Sequence, residues 1–332
     1  MNAPSLVGDI GGTNARFALV EPGMERPVLR DIRLLPTAEF AGLEQAARHY
    51  LAQVAVQPAR AALAVACPAR GDDIRLINRA WAFNRRELAA ALGLEELILL
   101  NDFGAAALGV SALAPAESEL LYGQPGPALA DPVSVIGPGT GMGVALLVRG
   151  ASGQWQVIET EGGHVGFAAL DAEERHIHDW LSARHGRASI ERALCGRGLS
   201  EIHAALTDRP PSRRSTPDAA LRPPAEILGA ALSGEDRAAR ATLARFCAIL
   251  GSVAGDAALF HGARTVAIAG GIVPRFIPFL KSSAFRERFL DKGRFAAHLE
   301  AVKVQVVTHP EPGLLGAALK LEPPLFIDGT PP

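Results

Sequence analysis

The sequence is poor in cysteine and has no concentrated charge, and each scarcity removes a class of function. Its three cysteines, Cys67, Cys195 and Cys247, lie far apart and form no CxxC pair. That spacing argues against a structural zinc site and suits a reducing compartment. Lysine and arginine form no basic tract and the formal net charge is −2, so the electrostatic footprint of a nucleic-acid binder is missing. No window reads as apolar enough to span a bilayer; the richest, "AALAVACPA" at 61–69, is short and flanked by Arg60 and Arg70. No charged n-region runs into a long apolar stretch at the start, so no signal peptide is expected. The expectation is a cytoplasmic protein that contacts neither nucleic acid nor membrane. Two common phosphate motifs are also missing. There is no GxxxxGK[ST], and GPGTGMG at 137–143 lacks the GxGxxG spacing and leads into a strand instead of a helix.

What is present is an ordinary globular composition, 48% hydrophobic and 20% charged over 332 residues, long enough for two domains. Apolar runs at 6–10, 15–20 and 61–66 read as strands, and the first two are joined by an unusual turn. "LVGDIGGTNARFALV" places Asp9, Gly11, Gly12, Thr13, Asn14 and Arg16 where a hairpin needs only a turn dipeptide. Exposed N–H groups in such a glycine turn form a concave anion site, although a plain loop has the same composition. "FNRRELAAALGL" reads as a helix capped by Asn84, with Glu87 three residues on and Gly93 at its end. "LEELILL" is a buried strand running into Asn101 and Asp102, followed by a helix, so both residues stand at a strand's carboxyl end. Ligands of open α/β sheets bind at that edge.

A second strand–glycine turn–strand unit, "VSVIGPGTGMGVALLV", opens at 133 and suggests duplicated halves. Residues 207–224, rich in Pro, Arg and Ser, read as an exposed loop between helices. A long helix is expected over 240–263, where Gly251 and Gly255, four apart, permit a close neighbour. "TVAIAGGIV" then reads as a strand entering a glycine pair, and "KVQVVT" as another strand. Residue by residue, bland roles stay open: Asp9 as a turn former, Asp102 as a helix cap, Glu161 and Glu191 as solvated carboxylates, His164 as a core histidine. His176, His178 and His185 lack carboxylate or cysteine company and read as surface residues.

Taken together, the glycine motifs resemble the nucleotide clamp of the sugar kinase, actin and Hsp70 superfamily. "GDIGGTNARFAL" is similar to its first phosphate loop, "IGPGTGMGVALL" to its second and "VAIAGGIV" to its adenosine loop. "NDFGAAALG" and "PGLLGAAL" are similar to its two connecting helices. Within the superfamily, "LINRAWAF", "LLNDFGAAALG", "EGGHVGF", "AGGIVPRF" and "PGLLGA" resemble the bacterial glucokinase family, and "ERALCGRGLSEI" resembles its segment carrying a sugar-binding glutamate. The resemblance runs from about Leu6 to about Leu321. The loop at 207–224 departs in composition from what the family leads one to expect. The related repressor, open-reading-frame and kinase family carries a cysteine-rich zinc motif, which this chain lacks.

The resemblance implies an α/β, two-domain actin-like ATPase (ribonuclease H-like) fold with an inter-domain active-site cleft. A small domain is expected from 1–112 plus 304–332, and a large one from 113–303. It implies a glucokinase that phosphorylates D-glucose with ATP and Mg²⁺ and feeds glycolysis, working as a homodimer, with domain closure excluding water. By the same resemblance Asp102 is the general base and Asn101 hydrogen-bonds the sugar beside it. Glu161, His164 and Glu191 also bind sugar. Asp9 stands near Mg²⁺, through water. Gly11, Gly12, Thr13, Asn14 and Arg16 face the phosphates from one side, and Gly139, Thr140 and Gly141 from the other. Gly270 and Gly271 let adenine and ribose lie against backbone. Other readings stay open: a kinase for mannose, fructose or an amino sugar, or a catalytically silent sugar sensor, against which Asp102 speaks. An Hsp70-like chaperone ATPase is disfavoured because no peptide-binding domain follows.

Overall fold

The structure, a computed structural model, describes residues 4–21, 26–67, 71–76, 81–124, 129–208 and 221–321. Most of the loop expected at 207–224, and residues 77–80 of "LINRAWAF", lie outside the described residues. The chain divides into two compact units, one of 1–116, 147–159 and 309–332, the other of 117–146 and 160–308.

The first unit is built on a five-stranded sheet ordered β3-β2-β1-β4-β7. Its strands are β1 (Ser5–Ile10), β2 (Asn14–Val20), β3 (Leu29–Pro36), β4 (Arg60–Val65) and β7 (Glu96–Asn101), while β5 (Asp73–Arg75) and β6 (Ala82–Asn84) form a separate ribbon. β1 is antiparallel to β2 and parallel to β4, and β4 is parallel to β7. Alternation along β1 sends Leu6 and Ile10 to one face and Val7 to the other. The Leu6 face packs on α1 (Leu43–Val54) and α2 (Arg85–Leu92). The Val7 face packs on α3 (Asp102–Val110) and the helix Pro312–Leu321. α2 starts as expected, with the Asn84 side chain accepting from the N–H groups of Arg86 and Glu87, and it ends at Gly93 in the left-handed region.

The two helices similar to the connecting segments meet at glycines. A Cβ on Gly109 would lie 2.0 Å from the Pro312 carbonyl oxygen, and one on Gly316 only 1.8 Å from that of Ala105. Gly316→Ala is therefore expected to destabilise the protein. Overpacking costs about 1–3 kcal/mol, occasionally more, which exceeds the roughly 1 kcal/mol that alanine gains in a helix. Urea unfolding checks this, and an unchanged midpoint would contradict so close a contact.

The second unit's strands belong to a six-stranded sheet ordered β11-β10-β9-β12-β13-β8, of which residues 147–149 of β10 and 155–159 of β11 fall in the first unit. Its strands are β8 (Ser118–Tyr122), β9 (Val133–Pro138), β10 (Met142–Arg149), β11 (Trp155–Thr160), β12 (Thr265–Ile268) and β13 (Lys303–Val307). The turns between β9, β10 and β11 are too short for a crossover, so these neighbours run antiparallel. β9, β12 and β13 are parallel. Two antiparallel strands followed by parallel ones thus occur in both sheets, repeating the order of the first unit. The duplication suggested by the paired glycine turns is visible as topology.

Around this sheet stand α4 (Ala172–His185), α5 (Ile190–Ala193), α6 (Gly196–Leu206), α7 (Pro224–Ser233), α8 (Arg237–His261), α9 (Ile277–Ser282), α10 (Phe285–Leu290) and α11 (Ala296–Glu300). Gly251 and Gly255 of α8 do admit a close neighbour: Cβ atoms there would lie 2.2 Å and 2.5 Å from the Phe285 and Phe289 carbonyl oxygens of α10. α8 also corrects the sequence expectation about apolar windows. It is long and apolar enough to cross a membrane, with a stretch of mean hydropathy 1.5, of which 72% is buried in the protein. The pattern misled because a helix enclosed by its own fold needs apolar residues all round.

Candidate active site

The first glycine turn and Asp102 lie on one edge of the first sheet. Ile10 pairs with Val65 and Val65 with Asn101, so β1, β4 and β7 end level with one another. Asp9 sits opposite Arg16 in the β1–β2 register, which puts both side chains on one face. Arg16 approaches Asp9 at 3.8 Å and Glu311 at 3.2 Å. Asp9 keeps 28% of its side chain exposed. Burial, and then the charge of Asp102, push its carboxyl up to about 6, with Arg16 opposing. Burial also raises Glu311, against Arg16. Glu311 is a member of this cluster that the sequence reading missed.

Asn101 and Asp102 do serve as caps. The Asn101 side chain accepts from Gly104 N–H at 2.9 Å, and its amide lies 3.4 Å from the Cys67 carbonyl. Asp102 Oδ1 accepts from Phe103 N–H at 2.8 Å. Capping fixes where these groups stand.

In the second unit the geometry gathers Glu161, His164 and Glu191. His164 Nε2 lies 3.8 Å from Glu161 Oε2, and His164 Nδ1 lies 3.9 Å from Glu191 Oε1. Glu161 precedes the short helical turn Gly162–His164, and His164 ends it. A Cβ on Gly163 would lie 2.0 Å from the Met142 carbonyl oxygen, so the Gly-Gly step lets this turn press against β10. Glu191 enters from α5, and its Oε2 accepts from Met142 N–H at 3.0 Å. A Cβ on Gly141 would lie 2.5 Å from that oxygen. The glycine turn 139–141 is thereby tied to a carboxylate of the expected sugar set. Gly139 N–H is donated within the turn to Gly141 O at 2.8 Å, and Gly139 O accepts from Gly196 N–H.

Gly270 follows β12 with a φ of +94°, and a Cβ there would lie 2.4 Å from the Pro138 carbonyl oxygen. Its lack of a side chain lets the turn after β12 lie against the turn after β9. Next to it, a Cβ on Gly271 would meet nothing within 4 Å, so the surface there is open backbone.

One expectation is overturned. His185 is not a surface residue: its side chain is 3% exposed and lies 3.0 Å from Glu201 Oε2. Glu201, on α6, also receives Arg184 and Arg197. Burial lowers the His185 pKa, with Glu201 opposing. Its carboxylate partner is 16 residues away on another helix, beyond what local spacing displays. His176 and His178 are the more exposed members, at 53% and 38%.

Comparison with known proteins adds to this geometry. The family model described as Glucokinase matches residues 6–323. A glucokinase from Chromohalobacter salexigens is 46% identical over 320 residues, covering 96% of this chain and 97% of its own. One from Stenotrophomonas maltophilia is 42% identical over 321 residues, covering 95% and 94%. Among solved structures, a glucokinase from an Antarctic psychrotroph has a TM-score of 0.81 at 36% identity, over 97% of this chain and 99% of that one. A ROK family glucokinase from Streptomyces griseus, solved with glucose and AMPPNP, has a TM-score of 0.63 at 19% identity, over 96% and 98%. The fold is the actin-like ATPase fold shared by these kinases.

Proposed function

The chain belongs to the glucokinase family, and from that premise we propose that it transfers the γ-phosphoryl group of ATP to O6 of D-glucose. The observation that carries the reading is the carboxylate of Asp102 at the end of β7, on the same sheet edge as Asp9 and the first glycine turn. A sugar hydroxyl is a weak nucleophile, and a positioned carboxylate is what it requires. Asp102 takes the O6 proton as O6 attacks phosphorus. The O6–phosphorus bond forms while the bond to the β–γ bridging oxygen breaks, and ADP departs.

Asn101, Glu161, His164 and Glu191 hold the sugar hydroxyls. The turns with Gly11, Gly12, Thr13 and Asn14, and with Gly139, Thr140 and Gly141, face the phosphates together with Arg16. Gly270 and Gly271 receive adenine and ribose. The S. griseus relative solved with glucose and AMPPNP supports this pairing of ligands. Mg²⁺ fits a hard carboxylate oxygen crowded by a second carboxylate, so Asp9 would hold it through water, where it would neutralise phosphate charge. The same reading makes the protein a cytoplasmic homodimer at the entry of glycolysis.

The ligand set draws on both units, so glucose should bring them together. Small-angle scattering is expected to give a smaller radius of gyration with glucose than without, and an unchanged radius despite calorimetrically proven binding would count against closure. A coupled assay with a panel of hexoses and phosphoryl donors tests the function itself. Glucose with ATP should give the highest specificity constant. Mannose or N-acetylglucosamine equal to glucose would replace the reading with a broader hexose kinase, and no turnover with any sugar would favour a sensor.

A further inference from the structure

We propose that Thr37, a residue outside every glycine motif, is the positioning residue of the first phosphate-binding turn; this rests on the reading that the turn holds ATP phosphates. β3 runs antiparallel to β2 with Pro36 opposite Asn14. The next residue, Thr37, therefore falls beneath the turn that precedes β2, where it is 1% exposed. Its backbone N–H donates to the Thr13 carbonyl at 2.9 Å. Its hydroxyl oxygen lies 2.8 Å from the Gly12 carbonyl oxygen and 2.9 Å from that of Thr13. One hydroxyl hydrogen is thus within reach of both carbonyls. Thr37 also begins a short helical turn, Thr37–Glu39, whose N-cap is Pro36 and which has no side-chain cap bond. The hydroxyl reaches back to the glycine turn.

The consequence follows from peptide geometry. A trans peptide is planar, with its C=O and N–H pointing in opposite directions. Carbonyls 12 and 13 are drawn towards Thr37, so the N–H groups that share their peptide units, those of Thr13 and Asn14, are turned away from it. Gly11 N–H is meanwhile donated to Asn14 O at 2.9 Å, which closes the turn. Thr13 itself is exposed. Two successive N–H groups directed to one open side are the elements of an anion-binding concavity. Thr37 touches no reacting atom; it fixes the plane of the peptides that do the binding.

The test compares the full-length wild type with Thr37→Val, which keeps shape but not the hydroxyl, and Thr37→Ser, which keeps the hydroxyl. AMPPNP affinity is measured by calorimetry, and KM for ATP and for glucose in the coupled assay. Thr37→Val should weaken AMPPNP binding and raise the KM for ATP by about tenfold, the scale of one hydrogen bond. The KM for glucose should stay unchanged, and Thr37→Ser should match the wild type. If Thr37→Val does not fold, Thr37→Ala takes its place against Thr37→Ser. Unchanged ATP constants in a folded variant, constants for ATP and glucose that rise in step, or a serine variant as impaired as valine would each overturn the proposal. A wild type that binds AMPPNP but phosphorylates no glucose would overturn the functional reading and leave the affinity comparison decisive for Thr37. A wild type that binds no AMPPNP overturns both.

Discussion

Asp102→Asn enzyme should turn over glucose about 10²–10⁴-fold more slowly than wild type, the usual contribution of a positioned base, while folding normally and still binding the sugar. The separation of effects comes from the two jobs this side chain has. One oxygen accepts the Phe103 N–H at the start of α3, and an asparagine oxygen can accept the same bond. α3 is in any case capped by Asn101 through Gly104 N–H. What asparagine cannot do is accept a proton from O6. An interaction that matters only as the proton moves should appear in kcat and kcat/KM together, with little change in sugar affinity. The variant also removes the charge that helps to raise the Asp9 carboxyl, so the Asp9 pKa should fall in Asp102→Asn. Steady-state kinetics, glucose calorimetry and a thermal melt decide the matter. Turnover within a factor of about ten of wild type would remove Asp102 from the base role, since so small a loss lies below what such a group contributes.

Much of this arrangement could be read along the chain because its signals are local. The two glycine turns, the Asn84 cap, the Gly93 terminus and the Gly251–Gly255 pair each depend on residues within a few positions, and the structure places all of them as read. The repeated strand order follows from two similar starts. What stayed hidden depends on pairs distant in sequence. Glu311 reaches Arg16 from the residue just before the helix Pro312–Leu321, almost at the other end of the chain. Thr37 is a threonine after a proline until β3 is laid beside β2. His185 reads as solvent-exposed until α6 brings up Glu201. Of the candidate site, mutual distance was not legible: that His164 lies between Glu161 and Glu191, or that Glu191 holds the second turn, required coordinates.

Those coordinates give the two sugar-side glutamates unequal weight. Glu191→Gln should be the more damaging change and should reshape sugar preference, while Glu161→Gln should be mild. The Glu191 side chain is 25% exposed and that of Glu161 is 77% exposed, and a buried acceptor left without a partner costs more than a solvated one. The amide's orientation can also be anticipated. Glu191 Oε2 accepts from Met142 N–H, and only the oxygen of a glutamine can keep that bond. The amide nitrogen must then take the place of Oε1, on the His164 side, so a carboxylate acceptor offered to sugar hydroxyls becomes a donor. Losing a charged acceptor for a hydroxyl near carbons 1 to 3 should lower kcat/KM for glucose by roughly ten- to several-hundred-fold. A sugar that lacks the hydroxyl in question has less to lose, so the gap between glucose and 2-deoxyglucose should narrow in Glu191→Gln. The measurement is kcat/KM for glucose, mannose and 2-deoxyglucose in wild type and both variants. An unaltered ratio of glucose to 2-deoxyglucose in Glu191→Gln, or a larger loss in Glu161→Gln, would show that Glu191 serves the glycine turn and not the sugar.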